Sequence, residues 1–136
     1  MKVLIIGFGS IGKRHYDVLS QLSEVQNIDL VTKQNIENIV CYINLEIIKN
    51  IEEYDYFVIA SETNKHFEQL KFLEENVKNK LIFCEKPLFQ SKQDIEIKNN
   101  IVFVGYVLRF HPLLEKLKEK EKKAITERDA AWQKYL

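Results

Sequence analysis

Met1-Lys2-Val3-Leu4-Ile5-Ile6-Gly7-Phe8-Gly9-Ser10-Ile11-Gly12 opens the chain, followed by Lys13-Arg14-His15. Val3 to Ile6 is an apolar run of strand length, and it leads directly into three glycines. A helical pattern follows, with Ile11, Val18, Leu19 and Leu22 expected on one inward side. Between a strand and a helix, each glycine has a physical task. Gly7 allows the tight turn, Gly9 lets backbone amides approach a pyrophosphate, and Gly12 lets the helix pack on the strand. The helix N-terminus offers N–H groups and a positive dipole end to phosphates. Gly7, Phe8, Gly9, Ser10, Ile11 and Gly12 are therefore candidate dinucleotide contacts. The competing reading is a purely structural turn.

The whole chain narrows the class. Its 136 residues suit one domain and are short for a two-domain enzyme. Lys and Arg total 20, as do Asp and Glu, so the formal net charge is zero. Bulk charge therefore gives no reason to expect nucleic acid or an anionic membrane as partner. No apolar run approaches the roughly 18 residues that span a bilayer. The first residues lack the n-region and cleavage site of a signal peptide, and a cytoplasmic location is expected. Cys41 and Cys84 are far apart and apolar in setting, which predicts buried free thiols. No metal-ligand spacing is present.

Strands and helical segments alternate along the chain. Ile28 to Val31 reads as a second strand and Ile39 to Ile43 as a short third, after a polar link from Lys33 to Asn38. Leu45 to Ile51 suits one or two helical turns, with Leu45, Ile48 and Ile51 facing in. Tyr56 to Ala60 is a continuous apolar run, the signature of a strand buried on both faces. Asn64 to Asn76 predicts an amphipathic helix with Phe67, Leu70, Phe72 and Leu73 on its apolar side. Leu81 to Cys84 and Ile101 to Gly105 are further strands; Leu88 to Asn100 is near the minimum for a parallel crossover. With no hairpin signals between strands, the pattern predicts an α/β fold. More narrowly, it is a Rossmann-type doubly wound parallel sheet of about six strands.

From Leu113 to Leu136 the composition changes to a charge-rich stretch that includes Glu119 and Lys123, a favourable i,i+4 pair. Pro112 suits a first helical position. A long C-terminal helix over residues 113–136 is expected, with a nucleotide-binding domain over 1–112. The helix reads first as a surface helix on its own domain. The competing reading is that its apolar end, Trp132 and Tyr135, docks on another copy or a partner chain.

In open parallel sheets ligands bind beyond the carboxyl ends of strands. Ser61 to His66, Glu85-Lys86-Pro87 and Tyr106 to His111 all fall at such ends. A lysine there could hydrogen-bond a substrate hydroxyl or shuttle its proton, since burial can tune its pKa. The competing reading for Lys86 is a surface lysine paired with Glu85.

The glycine turn, the small residue followed by His66, Phe83-Cys84-Glu85-Lys86-Pro87-Leu88, and Gly105-Tyr106 leading to Arg109-Phe110-His111-Pro112 stand in this order. Together they resemble the nucleotide-binding half of the Gfo/Idh/MocA oxidoreductases, over roughly residues 1 to 115. The resemblance implies that Lys86 lies beside the nicotinamide and the reacting hydroxyl, as the catalytic residue. It also implies that Ser61 and Glu85 sit at the cofactor, that Arg109 shapes the nicotinamide side, and that the bond before Pro87 is cis. Ser61-Glu62-Thr63 departs from the family's usual Thr-Pro-Asn type of loop, with Glu62 in place of an apolar proline. His66 reads as a helix-start histidine that packs or hydrogen-bonds locally rather than as a catalyst.

Cofactor choice is read at the end of the second strand, where an acid would hold a ribose 2′-hydroxyl and favour NAD. Val31-Thr32-Lys33 has none, and Asp29 lies too early. Thr32 and Lys33 suit a 2′-phosphate, a slight tilt to NADP over NAD. Family members continue into a second α/β domain that supplies most of the substrate pocket and a catalytic histidine. His15, His66 and His111 all lie in the nucleotide half. The expectation is the nucleotide-binding half of an NAD(P)-dependent oxidoreductase acting on a sugar or cyclitol hydroxyl, not competent alone. A sugar-like substrate would enter only with a second domain supplied. The alternative is a non-catalytic dinucleotide-binding module that associates through its C-terminal helix.

Overall fold

The computed structural model describes residues 1–105, 119–120, 122–128 and 130. Six strands form one parallel sheet: β1 (Lys2–Ile6), β2 (Asn27–Val31), β3 (Cys41–Tyr42), β4 (Tyr56–Ile59), β5 (Leu81–Glu85) and β6 (Ile101–Gly105). Their order is β3-β2-β1-β4-β5-β6. The chain thus winds outwards from β1 in one direction, then returns to β4 on its other side. Ile6 pairs with Val31 and with Ile59, so the carboxyl ends of β1, β2 and β4 are level. Such a reversal opens a crevice at the carboxyl rim.

Period-two alternation in the strands makes two cores. Along β1, Leu4 and Ile6 face one layer while Val3 and Ile5 face the other. Helix α1 (Ser10–Leu19) covers the Val3 side through Tyr16 and Leu19; helix α2 (Thr63–Asn76) covers the Leu4 side through Leu70 and Leu73. Phe57, Ile59, Ile82 and Leu73 are essentially inaccessible to solvent. Each such side chain contributes about 1.5–3 kcal/mol by leaving water.

Several details differ from the sequence expectations. In α1 the inward side is Gly12, His15, Tyr16 and Leu19, whereas Ile11, Val18 and Leu22 are 45%, 57% and 45% exposed. Close approach at Gly12 sets the helix's rotation, and hydrophobicity does not override it. Leu45, Ile48 and Ile51 are buried as expected. Their segment, however, forms turns and a single 3-10 turn over Ile51–Glu53 rather than an α-helix. β3 shrinks to two residues. Cys84 is buried, but Cys41 is only half-buried.

The crossover from β5 to β6 contains no helix. It is fastened instead by Glu74 of α2. Its carboxylate accepts from Lys98 N (2.7 Å), Asn99 N (2.6 Å) and Asn100 Nδ2 (2.8 Å). Burial pushes the Glu74 pKa upward, but these donors outweigh it and hold the carboxyl below its ordinary value.

The chain divides into two units, Met1–Gly105 and Tyr106–Leu136. In the second unit only residues 119–120, 122–128 and 130 are described, and these are helical. Lys123 lies 4.0 Å from Glu127, an i,i+4 pair. Trp132, Tyr135, Arg109 and His111 lie outside the described residues.

Candidate functional site

The first turn is fixed by backbone sterics. Gly7 has φ +95°, donates its N–H to Val31 O at 2.9 Å, and lies against the Ser61 backbone. A Cβ there would sit 2.7 Å from Ser61 N. A Cβ at Gly12 would sit 2.1 Å from Gly7 O, so Gly12 fits α1 chiefly against the turn's own carbonyl. At Gly9 a Cβ would meet nothing within 4 Å. Gly9 caps α1 without a side-chain hydrogen bond, and the helix has no acid in its first turn. Its N-terminal amides and positive dipole end therefore face an opening that suits an anion.

That opening is a groove of about 470 Å³ whose lining includes Gly7, Phe8, Gly9, Ser10, Ile11, Thr32, Lys33 and Ser61. Gly12 lies beneath it, buried. The loop after β2 is tied down: Gln34 Nε2 donates to Phe8 O at 2.8 Å and Gln34 N to Thr32 Oγ1 at 3.2 Å. On the opposite wall, Ser61 donates its hydroxyl to Gln69 Oε1 at 2.5 Å. Lys33 and Lys65 bring positive charge to the groove; Glu62 sits 3.7 Å from Lys65 and partly offsets it. A larger cleft of about 510 Å³ adjoins it between Ile43 and α2. It contains no residue of the glycine turn, which makes the smaller groove the better phosphate site.

Asp29 is not available to a ribose. It is buried inside β2, where it accepts from Tyr54 Oη (2.5 Å) and Asn27 Nδ2 (2.9 Å). Burial, then that bond to Asp29, raises the Tyr54 pKa far above a free phenol's.

The other end of the rim lies past β5. β1 and β5 are separated by β4, which puts Glu85 and Lys86 about 10 Å from the turn, two strand spacings away. Glu85 turns inward: Oε1 is 2.7 Å from His15 Nε2, and Oε2 accepts from Lys86 N at 3.3 Å. The Lys86 side chain is exposed, so these residues do not supply the burial invoked for tuning it. The Lys86–Pro87 bond is cis. Cys84, beneath, is pushed up to about 12 by burial and by neighbouring Glu85, which keeps it an inert thiol. His66 is buried at the start of α2, but only its contact with Ser61 O is local; its other contacts, to Pro87 O and Leu88 O, reach 21 and 22 positions along the chain.

His15, Gln34 and Gln69 join the site without having been singled out from the sequence, whereas Lys65 falls within the Ser61 to His66 stretch expected at the rim. His15 could have been found, since it lies one turn beyond Gly12 on the sheet-facing side. Gln34 and Gln69 carry no sequence signal, because their partners, Phe8 and Ser61, are set by folding. Among the described residues no group of three or more His, Cys, Asp or Glu could hold a metal. No described helix is long and apolar enough to cross a membrane.

Sheet order, switch point and glycine turn define a dinucleotide-binding Rossmann domain. Residues 1–106 match GFO_IDH_MocA, the "oxidoreductase family, NAD-binding Rossmann fold", and the chain belongs to that family. A "probable dehydrogenase from Thermotoga maritima" is 25% identical with a TM-score of 0.68; the match covers 90% of this chain and 41% of that one. An NAD-binding protein from Listeria innocua is 19% identical, TM-score 0.66, covering 90% and 40%. A Gfo/Idh/MocA family oxidoreductase from Vibrio cholerae is 19% identical, TM-score 0.64, covering 90% and 44%. The chain thus spans about two-fifths of these solved structures' length. No curated protein matches it.

Proposed function

We propose that this chain binds NADP in preference to NAD and presents Lys86 to a sugar or cyclitol hydroxyl. The carrying observation is a phosphate-suited groove at the switch point, with Lys86 on the same rim two strands away. Amides at the start of α1 would hold the pyrophosphate, Thr32 and Lys33 the 2′-phosphate, and Ser61 the ribose. Glu85 would act through its bonds to His15 and the Lys86 backbone. The bound nicotinamide supplies hydride chemistry. Lys86 would take the hydroxyl proton or hold the hydroxyl in place. Catalysis also needs a water-poor surface on the substrate side, and hydride transfer is proposed to require that further surface. The C-terminal helix would serve as a contact with another copy or partner chain.

Calorimetric titration of the 136-residue chain tests the cofactor assignment. NADP should bind about three- to fivefold tighter than NAD, the scale of an exposed charge pair, and the margin should shrink with salt. Thr32→Asp should reverse the order, by repelling the phosphate and holding the 2′-hydroxyl. Equal affinities in the parent would refute the NADP assignment.

A further inference from the structure

His66 is 1% exposed and stands at the start of α2, between two loops of the rim. Its Nε2 lies 3.0 Å from Ser61 O, in the loop after β4. Its Nδ1 lies 3.1 Å from Pro87 O and 3.2 Å from Leu88 O, in the turn after β5. Among the described residues no other hydrogen bond joins these two loops. Ser61 faces the groove and Lys86 directly precedes Pro87, so the ring sits between the two ends of the proposed cofactor site. All three partners are carbonyl oxygens, which only accept, so each ring nitrogen that carries a proton donates to the loop it faces.

We propose that His66 is a positioning residue. It sets the spacing between Ser61 and the Lys86–Pro87 turn, so that one extended dinucleotide meets both. This rests on the dinucleotide reading above and adds a residue that touches neither cofactor nor substrate. The adenosine half of the ligand lies towards Thr32, away from the clasp, and should not depend on it.

The test uses the full chain with NADP and AMP as probes. His66→Phe keeps a ring and removes both nitrogens; His66→Gln restores an amide donor. His66→Phe should weaken NADP by about tenfold, the loss of one well-placed hydrogen bond, and AMP by less than about twofold. His66→Gln should recover much of that loss. Amide exchange should quicken at 61–63 and 86–89 in His66→Phe, while α2 from Leu70 to Asn76 is unchanged. Unchanged NADP affinity, an equal loss for AMP, or uniformly faster exchange would each overturn the proposal. A parent that binds neither NADP nor NAD would sink the dinucleotide reading instead, and the exchange pattern would still decide the clasp.

Discussion

At the β1 end of the rim the backbone itself leaves no freedom. Gly7 holds φ +95° against Ser61, and Gly12 abuts the Gly7 carbonyl with no room for a methyl group. At the β5 end, polar side chains do the holding. His15 meets Glu85, and His66 meets Pro87 and Leu88; at the amino edge of the sheet, away from the rim, Glu74 gathers residues 98 to 100 in the same manner. The first end is held by steric exclusion, which is insensitive to pH and salt. The second is held by hydrogen bonds of polar side chains, which a single substitution can remove without a steric clash.

Substitution at Gly12 should break the first end outright. Gly12→Ala brings a Cβ to 2.1 Å from Gly7 O, and α1 must shift to admit it. A loss on the order of 4 kcal/mol is expected in denaturant melts. Gly9→Ala is the matched control, since nothing lies within 4 Å of that Cβ. It should melt within about 1 kcal/mol of the parent, the usual cost of alanine at an N-cap, yet bind dinucleotide poorly. Equal melting of the two variants would remove the steric account of the turn.

Glu74→Gln tests the same kind of side-chain holding at the amino edge of the sheet, where the crossover enters β6. The Glu74 carboxyl is held below its ordinary value of 4.5, so it binds its proton less readily folded than unfolded. Its stabilisation is fully present above that value and is lost as pH falls through the lower folded value. The variant should be about 2 kcal/mol less stable at pH 7, with the gap closing in acid. A gap that stays constant with pH would mean the carboxylate's charge is irrelevant to the clamp.

The smallest effect is expected from His15→Ala. It removes the 2.7 Å contact with a half-buried Glu85 and should cost about 1 kcal/mol, measurable by thermal melting. No loss at all would show that the bond the Glu85 carboxylate accepts from the Lys86 amide suffices at this end.

Much of the scaffold was legible in the residues. Val3–Ile6 and Tyr56–Ile59 are continuous apolar runs because both faces of a central parallel strand are covered. Gly7 and Gly12 mark the turn because no side chain tolerates those contacts, whereas Gly9 carries no such steric demand. The face of α1 was not legible. Ile11 and Val18 are apolar yet exposed, since the fit at Gly12 set the rotation. Nor could the residues before Asn50 announce a 3-10 turn in place of a helix, since inward spacing of Leu45, Ile48 and Ile51 suits either form.

The amino-acid sequence by itself determined the alternation of strands and helices, the glycine turn, the missing acid after β2 and the Glu85-Lys86-Pro87 rim. Each of these is a local pattern, written within a few residues and read from spacing. Tertiary structure alone decided that Glu85 would face His15, 70 positions away, that Asp29 would be spent on Tyr54, and that His66 would join two loops. Those contacts depend on which strands become neighbours, and no short-range periodicity encodes that choice.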